Sequence, residues 1–457
     1  MSGHSRKPSS RTALPRRSTR GPLDAPDDLL SPTPSLASST VKSPISPQRS
    51  PVRAATSDST HPMAIGNSGN DPLEQYEEVT DRDFSFLLEP GIYHPLSQLD
   101  VPGPFRRAFP QPLPASTSIS EAVAQINDLL SQCDYLRAAH LAGLVLISGA
   151  VRPTDQKTIF HLLSIRYSCL ELSGNILLAA QEAKSLEDLG STFYYSEPPQ
   201  DETMTEESAD KPLPKHIVPF NLRLQALRLQ SIGFSDPRRG VASLYDLGAE
   251  CREYLSSSTL SSAQRQLWSQ RLQEVGVRVV NALVEMNDID CARRTLDSTK
   301  PTTEEELGLW TLRKVTLSIR MGLLGEAQKI VRYSNISGPE KSILESLIAV
   351  ADDRFDAAIE LLTRPTMEHH RPLLALAKQN LAVAYLYQGD IQHAKEVLDT
   401  LINDDQSFQT LTINLATILD LTTDRSREMK LRLAERVSKQ QSPPKQARSY
   451  TNADFKL

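Results

Sequence analysis

His369 and His370 follow Glu368, and two imidazoles beside a carboxylate are donors that a divalent metal could use. At 3.6 residues per turn, adjacent helical residues project about 100° apart and do not converge on one ion, so the pair reads as a surface feature at a helix start. Cys133, Cys169, Cys251 and Cys291 lie far apart, with no CxxC pair or metal-finger spacing. Each falls among apolar neighbours in a helical pattern, which suits small buried hydrophobes in a reducing environment. Glu304, Glu305 and Glu306 follow two threonines, where carboxylates favour the positive end of a helix. A phosphate-cradling loop, a dinucleotide glycine fingerprint, HExxH and GxSxG are all missing from the sequence. The sequence therefore assigns no catalytic, cofactor-binding or metal-binding residue. One chemistry is left, the gripping of peptide. An amide at Asn380 can bond an extended backbone bidentately, with Lys378 as the nearest cation.

The elements that would carry Asn380 show a rhythm. Its first helix places Leu381, Ala382 and Tyr385 on one stripe; Gly389 and Asp390 break it; Ala394, Leu398 and Leu401 continue on a second helix. Alanines at 382 and 394 let two backbones approach, and Tyr385 and Leu398 fill the space beside them. The same small residue recurs at Ala292, Ala327, Ala358 and Ala394, and less regularly at Ala138, Ala179 and Ala242. A helix-turn-helix unit near 34 residues cannot bury its apolar face alone and stacks on copies of itself, so the pattern predicts an all-α, tetratricopeptide-like helical-repeat solenoid.

Composition narrows the function. The chain has 457 residues, 39% of them apolar, and a net charge of −6, without the basic stripe that nucleic-acid binding requires. The longest apolar run, 141–151, falls short of the roughly 20 residues that a membrane span needs.

Four regions follow along the chain. Residues 1–75 are rich in Ser, Pro, Thr and Arg, with too little apolar material to offset ordering entropy, and read as a disordered tail. Proline follows Ser31, Thr33, Ser43, Ser46 and Ser50, so each is a candidate for proline-directed phosphorylation, Ser46 above all because Arg49 follows. Residues 76–117 combine aromatics with prolines, which forbids a long helix and predicts an extended arm docked either on the chain's own helices or on a partner. Residues 118–440 carry helical periodicity, opened by a capping box at Ser118 and Glu121 and interrupted by an acidic, proline-bearing loop at 197–214. Residues 441–457 form a C-terminal tail.

From His216 onward the chain resembles the tetratricopeptide subunit twelve of the TRAPP (trafficking protein particle) vesicle-tethering complex, in its fungal-type form. The resemblance is carried by His216-Ile217-Val218-Pro219-Phe220 with Leu222-Arg223, by Leu267-Trp268 with Arg271-Leu272, and by the repeat from Asn380 to Leu401. It continues through Asn414-Leu415-Ala416-Thr417, Asp420-Leu421, Ser426, Met429-Lys430-Leu431 and the terminal Phe455-Lys456-Leu457, covering about the last 240 residues in order. It implies a non-catalytic subunit of an assembly acting between endoplasmic reticulum and Golgi and in autophagy. The implied partners are the other TRAPP subunits and, through the complex, a Rab GTPase. Location would be cytoplasmic and peripheral to endoplasmic reticulum, intermediate-compartment and Golgi membranes. The competing expectation is a tetratricopeptide adaptor that takes short peptides or chaperone C-terminal tails at Asn380 and Lys378.

Overall fold

The computed structural model describes residues 82–112, 114, 117–196, 213–258, 260–299, 301, 304–336, 338–364, 371–440 and 450–457. The tail 1–75 with its five Ser/Thr-Pro steps, the bulk of the acidic loop (197–212) and the His369-His370 pair lie outside the described residues. Sixteen α-helices are described, and no strand; Tyr195 and His216 form an isolated antiparallel bridge. The helices are α1 (Ile119–Ser131), α2 (Tyr135–Ile147), α3 (Gln156–Leu172), α4 (Ile176–Glu182), α5 (Phe220–Gly233), α6 (Pro237–Ser256), α7 (Ser262–Glu285) and α8 (Ile289–Ser298). They continue as α9 (Glu304–Arg320), α10 (Leu324–Tyr333), α11 (Gly338–Ala351), α12 (Phe355–Leu362), α13 (Arg371–Gln388), α14 (Ile391–Asn403), α15 (Gln409–Thr422) and α16 (Ser426–Ser438).

Seven turns between paired helices share one backbone solution. At Cys133, Gly174, Ser235, Asn287, Gly322, Asp353 and Gly389 the chain takes a positive φ of 54° to 93°. The next residue's N–H then bonds the carbonyl five positions back, at 2.8 or 2.9 Å in every case. This is the Schellman ending, which satisfies carbonyls that a helix C-terminus leaves open. Asp236, Asp288 and Asp390 also cap the following helix by accepting from the N–H three residues on. The capping box at Ser118 and Glu121 forms as expected, and Glu304 opens α9.

Five residues beyond each positive φ, the second helix presses a small residue against the first. Ala138, Ala179, Ala292, Ala327, Ala358 and Ala394 are 0% exposed. The sequence reading errs at one copy, because Ala242 is exposed and Gly240 takes the packed position. A Cβ at Gly240 would meet the Ser231 Cβ at 2.4 Å, so helices α5 and α6 cross too closely even for alanine. Ala382 and Leu398 are buried and Tyr385 half-buried, as the stripe predicts.

Each helix packs on its sequence neighbours, and first helices of some successive pairs also touch: α3 with α5, α9 with α11, and α11 with α13. The apolar core is accordingly divided into successive clusters along the chain. Cys169 and Cys251 are buried within it, and burial pushes both thiols up to about 12, which keeps them protonated and inert. Cys133 is buried in the turn between α1 and α2 rather than in a helix, and Cys291, in the first turn of α8, is only half-buried.

Candidate interaction site

The aromatic arm docks on the chain's own helices. Phe84 and Leu87 are fully buried, Phe84 meets the Phe160 ring edge-on at 5.2 Å, and its N–H bonds the Pro153 carbonyl. Short 3-10 turns at Ser85–Leu88, Pro90–Ile92 and Gly103–Phe105 break what the proline content suggests is extended. Further along, a buried ion pair fixes the arm. Arg166 of α3 donates from Nε and Nη2 to the Glu182 carboxylate of α4, 2.6 Å each, with both side chains almost fully enclosed. Arg166 also donates to the Ala139 and His94 carbonyls, while the His94 N–H donates to Glu182 Oε1 at 3.0 Å. The guanidinium lies 5.1 Å over the Tyr93 ring. Every polar arm of this pair is thus occupied, the condition under which a buried ion pair is tolerated.

The arm then reaches the last residues of the chain. Phe105 packs against Tyr450 and Phe455 at 5.1 and 5.9 Å. Asn452 donates its backbone N–H to the Asp100 carbonyl and its side-chain amide to the Leu99 carbonyl. Arg107 reaches Asp134 at the first turn, and the Phe109 ring lies 4.5 Å from His140 of α2. The C-terminal segment is not a loose tail: Tyr450 and Phe455 are buried, and the buried Lys430 of α16 donates to Asp420 and to the Lys456 carbonyl. Leu433 is core and Met429 half-buried, which leaves Leu431 exposed on that helix. The closing helices are therefore covered largely by this chain.

A second polar node sits where the acidic loop leaves and re-enters. Arg223 of α5 donates both Nη atoms to Glu250 of α6 at 2.9 and 2.7 Å, and the Tyr195 hydroxyl donates to Glu250 at 3.0 Å. Burial alone would raise the Glu250 carboxyl, but the Arg223 bonds and charge, with Tyr195, hold it below the ordinary carboxylate range. His216 is held between the Leu189 carbonyl and the Val218 N–H, and burial, helped by the Arg223 charge, lowers it to about 4. It is neutral at physiological pH. Nearby, Trp268 stacks on Tyr254 at 4.0 Å with Arg271 over its face. His216, Arg223, Trp268 and Arg271 of the motifs at 216–223 and 267–272 thus build structure.

The two expected peptide contacts fare differently. Asn380 is half-buried on α13, and no described cleft includes it. Lys378 is not free, because its ammonium faces Asp404 at 3.4 Å. A cleft the sequence did not reveal lies elsewhere, between α6, α7 and α8, with a volume of about 530 Å³. Leu244, Leu272, Val275 and Val279 give it an apolar lining; Arg252 and Arg294 add two cations, and no acidic residue lines it. The one sequence signal is a glycine inside each long helix, Gly248 and Gly276, which costs helix stability and implies a local reason. At Gly276 a Cβ would meet the Thr299 Cγ2 at 2.9 Å. No cluster of potential metal ligands occurs among the described residues. No helix among them is long and apolar enough to cross a membrane. No family model and no curated protein matches the chain.

Proposed function

We propose that this chain is a non-catalytic scaffold, a tetratricopeptide-like solenoid serving a TRAPP-type vesicle-tethering complex in traffic between endoplasmic reticulum and Golgi and in autophagy. The observation that carries the architectural part is the turn repeated seven times, with one φ region, one hydrogen bond and one small residue at a fixed offset. Such a unit stacks on copies of itself and presents long surfaces to partners. The complex itself is proposed on the ordered resemblance from His216 to Leu457. Its residues occupy structural positions: His216 and Arg223 in the polar node, Trp268 in an aromatic stack, and Phe455 under the arm.

The partners in this reading are the other TRAPP subunits and, through them, a Rab GTPase, with membranes of the early secretory pathway reached only through the complex. The adaptor reading at Asn380 and Lys378 is weaker, because the Lys378 charge is already answered by Asp404. Purification of the tagged full chain from its own cells, with quantification of stoichiometric partners, tests the proposal. Several TRAPP subunits should co-purify. A chain recovered with none of them, or with an unrelated stoichiometric assembly, overturns it.

A further inference from the structure

We infer that the cleft between α6, α7 and α8 is a docking site for a short extended peptide segment of a partner in which acidic residues flank an apolar one. The apolar lining from Leu244, Leu272, Val275 and Val279 suits a buried aliphatic or aromatic side chain. Arg252 and Arg294 reach the cleft from different helices, so two guanidinium forks are available to carboxylates on either side of that anchor.

Charge complementarity decides the occupant. Some arginines elsewhere meet acids, as Arg228 meets Glu171 and Glu285, Arg293 meets Glu326 and Arg436 meets Asp399, while others, such as Arg106 and Arg265, bond only carbonyls and line no cleft. Arg252 makes no ion pair among the described residues, and Arg294 donates only to the Asp290 carbonyl and the Cys291 sulfur of its own helix. Arg294 does feel the Asp288 carboxylate, but without an ion-pair contact; two such cations over an apolar lining that holds no acidic residue, in a chain of net charge −6, describe a local receptor for negative charge rather than a basic surface. Ser298, Thr295 and Ser269 add hydroxyls that can bond a peptide backbone.

This inference rests on the scaffold reading for its biological setting, but its test uses the isolated full chain, so the two fail separately. The chain is panned against a displayed library of short random peptides, and the selected peptides are measured by fluorescence anisotropy. Selected sequences should place Asp or Glu beside Leu, Ile or Phe. Their affinity should fall at least about tenfold in the Arg252→Gln/Arg294→Gln double variant. The Arg252→Lys/Arg294→Lys variant should retain more of it, because charge persists while the fork is lost. Circular dichroism and the thermal midpoint should match wild type in both, as neither arginine holds another element. The inference is overturned if no peptide is selected, if the selected set lacks acidic residues, if affinity survives in the glutamine variant, or if free succinate displaces the peptides as well as they displace one another. Any of these outcomes leaves the co-purification result standing.

Discussion

At the scale of single residues, the fold depends on how closely paired helices can approach. Gly240 is one tight case, since any Cβ there would overlap the side chain of Ser231 across the α5–α6 crossing. Overpacking of this kind costs roughly 1 to 3 kcal/mol, less a smaller gain because alanine is the better helix former. Gly240→Ala is therefore expected to lower the thermal midpoint of the full chain, whereas Ala242→Gly, two residues along and exposed, should lower it by no more than its helix-propensity cost. Equal midpoints for Gly240→Ala and wild type would show that the crossing relaxes freely. The misplacement of this copy by two positions has a physical cause. The repeat is legible through alanine at a helix crossing, but where helices close further, selection for space replaces alanine with glycine and the visible marker moves. The positive φ at non-glycine residues such as Asp353 and Ser235 was equally hidden, because the Schellman bond rather than a residue type defines that turn.

At the scale of elements, the arm is the part that composition describes but cannot place. Its prolines and aromatics exclude a long helix and demand a surface, yet the partner of that surface depends on residues far away in sequence: Phe160, Glu182, Tyr450 and Phe455. Glu182 is the hinge of this arrangement, accepting from Arg166 and from the His94 backbone. Removing one member of a buried, hydrogen-bonded ion pair typically costs about 3 to 5 kcal/mol, because the remaining charge is stranded. Glu182→Ala should thus destabilise the N-terminal helices by that order and release the arm near His94, seen as faster proteolysis between Phe86 and Leu99. Replacing both partners, as Arg166→Met with Glu182→Leu, should recover part of the loss, since the charges then vanish together. If the double variant is no more stable than the single, the pair contributes through something other than its charge balance. The cleft illustrates a different limit of sequence reading: Arg252 and Arg294 are ordinary surface residues in the helical pattern, and only the packing of three helices brings them to one opening.

At the scale of the whole helical region, a run of helices whose contacts are mainly with sequence neighbours is expected to unfold piecewise, its end helices fraying first. This chain opposes that tendency by joining its ends. The arm leaves the first helices through Phe109 and Arg107, and its Phe105 and Asp100 grip the C-terminal segment, which in turn holds α16 through Lys430. The first and last helices therefore share stabilising contacts, although they lie about as far apart in sequence as the array allows. Deleting residues 450–457 removes Tyr450, Phe455 and the Lys456 carbonyl at once, while leaving α6 to α8 untouched. Native-state hydrogen exchange should then show lost protection in two distant places together, α15–α16 and the arm from Leu99 to Phe109, with protection in α6 to α8 unchanged. Loss confined to α15–α16 would mean that the ends touch without sharing stability. The outcome also bears on assembly, because a partner that binds the last helices must either accept the arm as part of its surface or compete with Phe105 for the same apolar face.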